Sequence, residues 1–382
     1  MTPLFEPADF RLPPGIAHVC AGGETAALRS HDQALLQYVA DKSSGLPGRT
    51  AQETQIEAAR AGMARLWGVS AGDIGFVGNV AEGVSIVAES MVWRDGDSIA
   101  IDANEYKSVV GPFALRRSPH IALRQARGTE PDRLASCVDA GTRIIAVSYV
   151  SYLTGERIDL PALRALADQH NALLLVDFTQ ASGYLPIEAS IADFAFSACY
   201  KWMLGITGVA AAYWNRERQP DWSPASAGWH SFAPGSRGYD TPPVLKPDAM
   251  RFTRGNPAHC PIYVLNSALS YLSQFDMPDV QRHVQTLTVA LMDELAACRV
   301  PVMTPADPLR HGASVCIASP RASAVVDALY AQGVYAWNGE GRVRISFHGY
   351  NSMVDVERTA GALKSLSRSW PAVSHEGYFQ SA

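Results

Sequence analysis

The chain has 382 residues, of which 47% are hydrophobic and 18% charged, which is ample apolar material for a large core and for two domains. A formal net charge of −5 offers no footprint for nucleic acid or a membrane surface, and no apolar run is long enough to span a bilayer. The six cysteines are scattered without a C-x-x-C pair, which argues against a disulfide framework or a zinc site and fits a reducing, cytoplasmic compartment.

Residues 1–30 are rich in proline and glycine and read as an irregular arm around Cys20-Ala21-Gly22-Gly23-Glu24, able to cover a site or a partner subunit. The first ten residues lack the basic region and apolar core of a signal peptide. A helix is expected over 31–41, then a turn at Gly45-Leu46-Pro47-Gly48, then an amphipathic helix over 52–67 closed by Gly68. Ile74 to Gly83 follows as strand, small-residue turn and helix start. That geometry turns free backbone N–H groups and a helix dipole toward an anion, here from Val80, Ala81 and Glu82. Ser98–Asp102 reads as a strand leading to Asn104-Glu105-Tyr106, and 143–148 as a buried strand leading to Tyr149-Val150-Ser151-Tyr152. A crossover helix over 160–169 starts at Asp159 and Pro161.

The next stretch organises the chain. A buried-strand pattern, Leu173-Leu174-Leu175-Val176, ends on Asp177, and a second one, Phe194 to Cys199, ends on Tyr200-Lys201. Either residue alone would do no more than cap a turn or face solvent. Together, each at the end of its own strand, they suit pyridoxal 5′-phosphate (PLP): the lysine holds the aldehyde as a Schiff base, and the aspartate keeps the ring nitrogen protonated. Strands alternating with helices over 74–214 imply a mostly parallel sheet with helices on both faces, whose ligands lie at the carboxyl ends of the strands. Residues 218–248 form a long loop rich in proline, glycine and serine. Helices over 262–275, 280–298, 322–333 and 354–366 and strands over 313–318 and 343–347 then make a smaller α+β domain. The chain thus divides into an arm (1–30), a large cofactor-binding domain (31–257), a small C-terminal domain (258–370) and a frayed tail (371–382).

The run Asp177-Phe178-Thr179-Gln180-Ala181-Ser182-Gly183, the Tyr200-Lys201 pair and Arg344-Ile345-Ser346 ahead of Tyr350-Asn351 together resemble the class V aminotransferase family of fold-type I PLP enzymes, which includes cysteine desulfurases and kynureninases. The resemblance implies a homodimer whose active sites are shared across the interface and an α-amino acid substrate. Lys201 would be the Schiff-base lysine, Asp177 the partner of the ring nitrogen, and Tyr200 a phosphate contact and proton relay. Tyr106 would stack on the ring, while Gln180 and Tyr152 fall where relatives touch the 3′-oxygen. Val80, Ala81, Glu82 and Ser197 would grip the phosphate. Trp229 and Asn256, in segments that reach the neighbouring site in relatives, would complete it. Arg344, between apolar Val343 and Ile345, would fork onto the substrate carboxylate.

The resemblance leaves the reaction open. A class V aminotransferase is the first expectation, and a kynureninase-like Cβ–Cγ hydrolase or a racemase the alternatives. Tyr200 before the lysine and Tyr152 before Thr154-Gly155 lean toward kynureninases. Cysteine desulfurase is disfavoured, because 320–344, where that group keeps its nucleophilic thiol, holds no cysteine. A binding module without turnover would need no electron sink.

Overall fold

The computed structural model describes residues 1–115, 119–128, 130–237, 239, and 242–366. The expected tail therefore lies outside the described residues. The large sheet has seven strands in the order Ile74–Val77, Ala210–Trp214, Phe194–Ala198, Leu173–Asp177, Thr142–Ser148, Ser98–Asp102, Ala122–Ala126. Only Ala210–Trp214 runs against its neighbours. The central strands are buried along nearly their whole length, which is why they read as continuous apolar runs without alternation. The edge strand Ala122–Ala126 is largely exposed and polar, and its pattern gave no strand signal.

Helices cover both faces. One face packs against Gly45–Trp67, Leu160–Gln169 and His259–Leu272 through Ile56, Met63, Trp67, Leu163, Ile262 and Leu265. The other packs against Val80–Ser90 and Lys107–Ala114 through Val84, Val87, Val109 and Phe113. The Gly45–Trp67 helix absorbs the Gly45-to-Gly48 segment expected to be a turn. Pro47 is tolerated there because the first helical turn has no intrahelical partner for its N–H groups.

The smaller unit is a three-stranded antiparallel sheet, Trp337–Gly339, Arg342–Ser346 and Ser314–Ala318, backed by Ala322–Ala331, Met353–Ser365 and the second half of Met277–Ala297. The last of these spans both cores: Val280 and Val284 pack with the large sheet's helices, and Leu287, Leu291 and Leu295 with the small domain. His259–Leu272, beyond the expected boundary at 257, is wholly part of the large domain's core. The N-terminal arm is pinned to the small domain: Ala17–His18 pairs in parallel with Val334–Tyr335, and Val19 joins that core. Among the described residues, no helix is long and apolar enough to cross a membrane.

Candidate active site

A cavity of about 220 Å³ opens where the arm, the carboxyl ends of the large sheet's strands and the small sheet meet. Gly23 and Glu24 line it from the arm, Tyr106, Ser148, Tyr152, Asp177, Gln180, Tyr200 and Lys201 from the large domain, and Trp337, Arg342 and Arg344 from the small one.

The two strands that end on Asp177 and just before Lys201 are adjacent and in register, with Asp177 opposite Phe196. The turns beyond them are locked together. Gly183 has φ +111°, and a Cβ there would lie 2.2 Å from the Trp202 carbonyl oxygen, so only glycine lets the Asp177–Gly183 turn rest on the lysine-bearing turn. The Lys201 carbonyl accepts the Thr25 hydroxyl at 2.6 Å and the Leu204 N–H at 2.9 Å. From the small domain, His348 Nε2 meets the Trp202 carbonyl at 2.9 Å. Arm, large domain and small domain therefore all fix the backbone that aims Lys201.

The electrostatics are those of a site waiting for charge. Lys201 is buried, and its amine is pushed down to about 8, chiefly by burial, then by the Arg344 charge, with Asp177 opposing. Its Nζ lies 5.5 Å from the Tyr200 ring centroid and 5.9 Å from that of Tyr106. Asp177 is also buried, and burial raises its carboxyl above the usual range while hydrogen bonds from Thr179 oppose this. The Thr179 N–H donates to Asp177 Oδ1 at 2.8 Å. Arg344 is buried and drawn down to about 10 by burial and by the neighbouring Arg342. Its Nη1 donates to the Tyr152 carbonyl at 3.1 Å, and its Nε has no partner.

Tyr106 and Tyr152 meet edge to face, with centroids 4.8 Å apart, and form one wall. Glu105 sets that wall: its carboxylate accepts the Tyr106 N–H at 2.7 Å, the Ser148 N–H at 2.7 Å and the Ser148 hydroxyl at 2.5 Å. Burial pushes Glu105 up to about 7. Gln180 is clamped, its Oε1 accepting from Trp202 Nε1 at 3.0 Å and its Nε2 donating to the Gly22 carbonyl at 3.0 Å, which leaves one amide hydrogen for a ligand.

The expected phosphate residues are less assembled. Val80, Ala81 and Glu82 do open a helix, capped by Asn79, but the Glu82 N–H already donates to Asn79 Oδ1 at 2.9 Å. That leaves the Val80 and Ala81 N–H groups, and none of these three residues lines the cavity. Ser197 does not reach the cavity; it is wholly buried, and its hydroxyl turns to the Ala198 carbonyl at 3.3 Å. Strand alternation is the reason, since Ser197 shares a sheet face with the core residues Ala195 and Cys199. Trp229 and Asn256 lie outside the cavity lining. Arg49 gathers them: its guanidinium is 5.6 Å from the Trp229 ring, and its Nη1 donates to Asn256 Oδ1 at 3.1 Å.

A family model for class-V aminotransferases matches residues 24–359. The chain belongs to that family. A probable cysteine desulfurase of Methanothermobacter thermautotrophicus is 24% identical over 374 residues, covering 89% of this chain and 91% of that protein. A kynureninase of Pseudomonas fluorescens is 27% identical over 222 residues, 56% of this chain and 53% of that protein. Among solved structures, a C-DES variant with glycine covalently linked to its PLP cofactor superposes with a TM-score of 0.85 at 20% identity, covering 94% of this chain and 99% of that one, which shows the shared fold.

The cofactor is pyridoxal 5′-phosphate. The donor set fits it: a buried amine lowered to about 8 for the aldehyde, a buried carboxylate for the ring nitrogen, two tyrosine rings at the wall, and a guanidinium with an unmet Nε. Sequence reading missed Arg342, Glu105 and Ser148; it had the arm around Cys20–Glu24 as able to cover a site or a partner subunit, and Gly23 and Glu24 line the cavity. Arg342 was within reach, because it shares the strand alternation that singled out Arg344.

Proposed function

We propose that the protein is an aminotransferase acting on an α-amino acid, with Lys201 as its catalytic base. The observation that carries this reading is the buried Lys201 amine, drawn down to about 8, in one cavity with Asp177 and Arg344. When bound, PLP supplies an aldehyde for an amine and an electron sink for charge left at the substrate Cα. Asp177 would hold the ring nitrogen's proton. Arg344 binds the α-carboxylate through its fork and orients the Cα–H bond. Lys201, whose amine is drawn down to about 8 so that a usable fraction is neutral near pH 7, would take the Cα proton as general base and be placed to return it, as transamination requires. Tyr106 and Tyr152 would wall the ring, Gln180 would offer its remaining N–H to it, and Tyr200 stands beside the Lys201 amine. The Val80 and Ala81 N–H groups and the helix dipole would take the phosphate, with the Asn79 cap and the Glu82 carboxylate, which accepts the Gly78 N–H at 2.7 Å, holding the turn. Ser197 has no part.

The phosphate grip of one chain is thin, and a second copy fits that lack. In a homodimer Trp229, Asn256 and Arg49 would reach the neighbouring cofactor, and the exposed Leu36, Val39 and Leu46 would be covered. The six free thiols suit a cytoplasmic setting.

Desulfuration gains no support from the site, although relatives carry that name. No thiol lines the cavity; Cys316 is wholly buried in its strand, and burial raises its pKa. A kynureninase-like hydrolysis remains the second reading, favoured by Tyr152 at the wall. Incubation of holoenzyme with amino acids, with and without a keto-acid acceptor, decides. Acceptor-dependent loss of the amino acid supports transamination, and acceptor-independent release of alanine from kynurenine replaces it with hydrolysis.

A further inference from the structure

The reaction above uses one guanidinium, and the cavity has two. Arg342 and Arg344 alternate on the Arg342–Ser346 strand, so they leave the same face about 6.7 Å apart along the chain. Both line the cavity. Arg342 is only 2% exposed. Its Nη1 donates to the Gly339 carbonyl and its Nη2 to the Tyr152 carbonyl at 2.5 Å, while its plane lies 5.2 Å from the Tyr152 ring centroid. These bonds hold the group rigid but leave its charge unanswered. Its Nε is buried without a partner, as is that of Arg344.

A buried cation without an anion is costly. The Cys316 thiol lies beside Arg342 and opposite Arg344; burial raises its pKa against both guanidiniums, so it offers them a neutral thiol. Glu340 lines the same cavity, but its side chain is 46% exposed and pairs with Lys107 at 3.0 Å. Glu24 is exposed at the rim and solvated. Asp177 faces the cofactor's nitrogen. Once Arg344 has taken the α-carboxylate, one fixed guanidinium remains at side-chain distance.

We propose that Arg342 binds a second anionic group, on the substrate's side chain, so that the enzyme prefers dicarboxylic amino acids. The inference rests on the reading of Arg344 and Lys201 above and adds the substrate class. A planar fork with free N–H groups matches a carboxylate bidentately. Both forks donate to the one Tyr152 carbonyl, so the two guanidinium groups lie close enough together to hold the two carboxylates of a short dicarboxylic acid, such as aspartate or glutamate.

Two measurements on the holoenzyme test this. The first compares kcat/KM for L-aspartate and L-glutamate with that for L-alanine and L-leucine. The second follows binding of the amine-free probes succinate and glutarate against propionate and butyrate by calorimetry. The expected results are a preference of about tenfold or more for the acidic amino acids and tighter binding of the dicarboxylates. In Arg342→Gln, KM for the acidic substrates should rise about ten- to hundredfold, with KM for neutral ones little changed. A mere brace for Tyr152 would instead weaken both classes alike. Equal handling of neutral and acidic amino acids, with no dicarboxylate advantage, overturns the proposal even if Arg342→Gln fails to fold, because the wild-type protein decides. Tight dicarboxylate binding without turnover of any amino acid would sink the aminotransferase reading and leave this one standing.

Discussion

Two clusters of buried charge lie at opposite ends of the same pair of strands, and they differ in one respect. At the foot, Asp193 is 2% exposed, and both of its oxygens are taken. Oδ2 accepts from Arg164 at 2.6 Å and from the Leu174 N–H at 2.8 Å; Oδ1 accepts from Gln219 Nε2 at 2.8 Å and from Arg218 Nε at 3.3 Å. At the head, Lys201, Arg342 and Arg344 are buried, and none of them forms an ion pair with a carboxylate among the described residues. A buried charge with every partner present is architecture. A buried charge without one is a site, held at the expense of stability until a ligand arrives.

The largest test of that contrast is Lys201→Met. Activity should fall by at least about a thousandfold, yet the cofactor-free protein should become more stable. The Lys201 pKa is lowered from its usual 10.5 to about 8 in the folded state. Between those values the unfolded chain binds more protons, so stability rises with pH across this window and is lowest below about 8. Removing the amine relieves up to about 3 kcal/mol at pH 7, read as a higher melting temperature of the apo form. A lower melting temperature would break the contrast.

Asp193→Ala should do the opposite. It removes the acceptor of the Leu174 N–H and of Gln219, leaves Arg164 and Arg218 only Asp168 as an ion-pair partner among the described residues, and should cost about 3 kcal/mol in urea unfolding, with no change in the cofactor's absorbance once folded. Arg344→Gln should raise KM for amino acids about a hundredfold while cofactor uptake persists; unchanged KM would remove Arg344 from the substrate. The smallest effect is one of pH. Uptake of PLP by apo protein requires the neutral amine, so its rate should climb about tenfold per unit up to about pH 8 and level off above it. A flat profile from 6 to 9 would mean that the reacting amine is not Lys201.

Much of this was legible in the chain itself, for definite reasons. Asp177 and Lys201 were readable because each follows a run of apolar residues too short for anything but a buried strand. The Asp177–Gly183 motif was readable because its glycine answers a steric demand. Ser197 was misread because a hydroxyl near the lysine was taken for a ligand without asking which face its strand position gives it. Glu105 was hidden for the converse reason: its partner Ser148 is remote in sequence, and only the folded sheet brings the two together. The arm's role depended on a close approach at Gly22, where a Cβ would lie 2.8 Å from Ser346 Oγ and 3.1 Å from Arg344 Nε, a contact that no local pattern announces. The turn assigned at Gly45–Gly48 failed because glycine and proline were read as breakers in a place where the first turn of a helix accepts both.

The central claim is that the unanswered charge at the strand ends is a PLP site closed by Lys201, and reductive trapping tests it most directly. Purified protein would be mixed with PLP, reduced with borohydride, digested, and read by mass spectrometry. A pyridoxyl adduct on the peptide carrying Lys201, absent from Lys201→Ala, is the expected result. No adduct, or one confined to a surface lysine such as Lys107, whose side chain is 83% exposed, would contradict it.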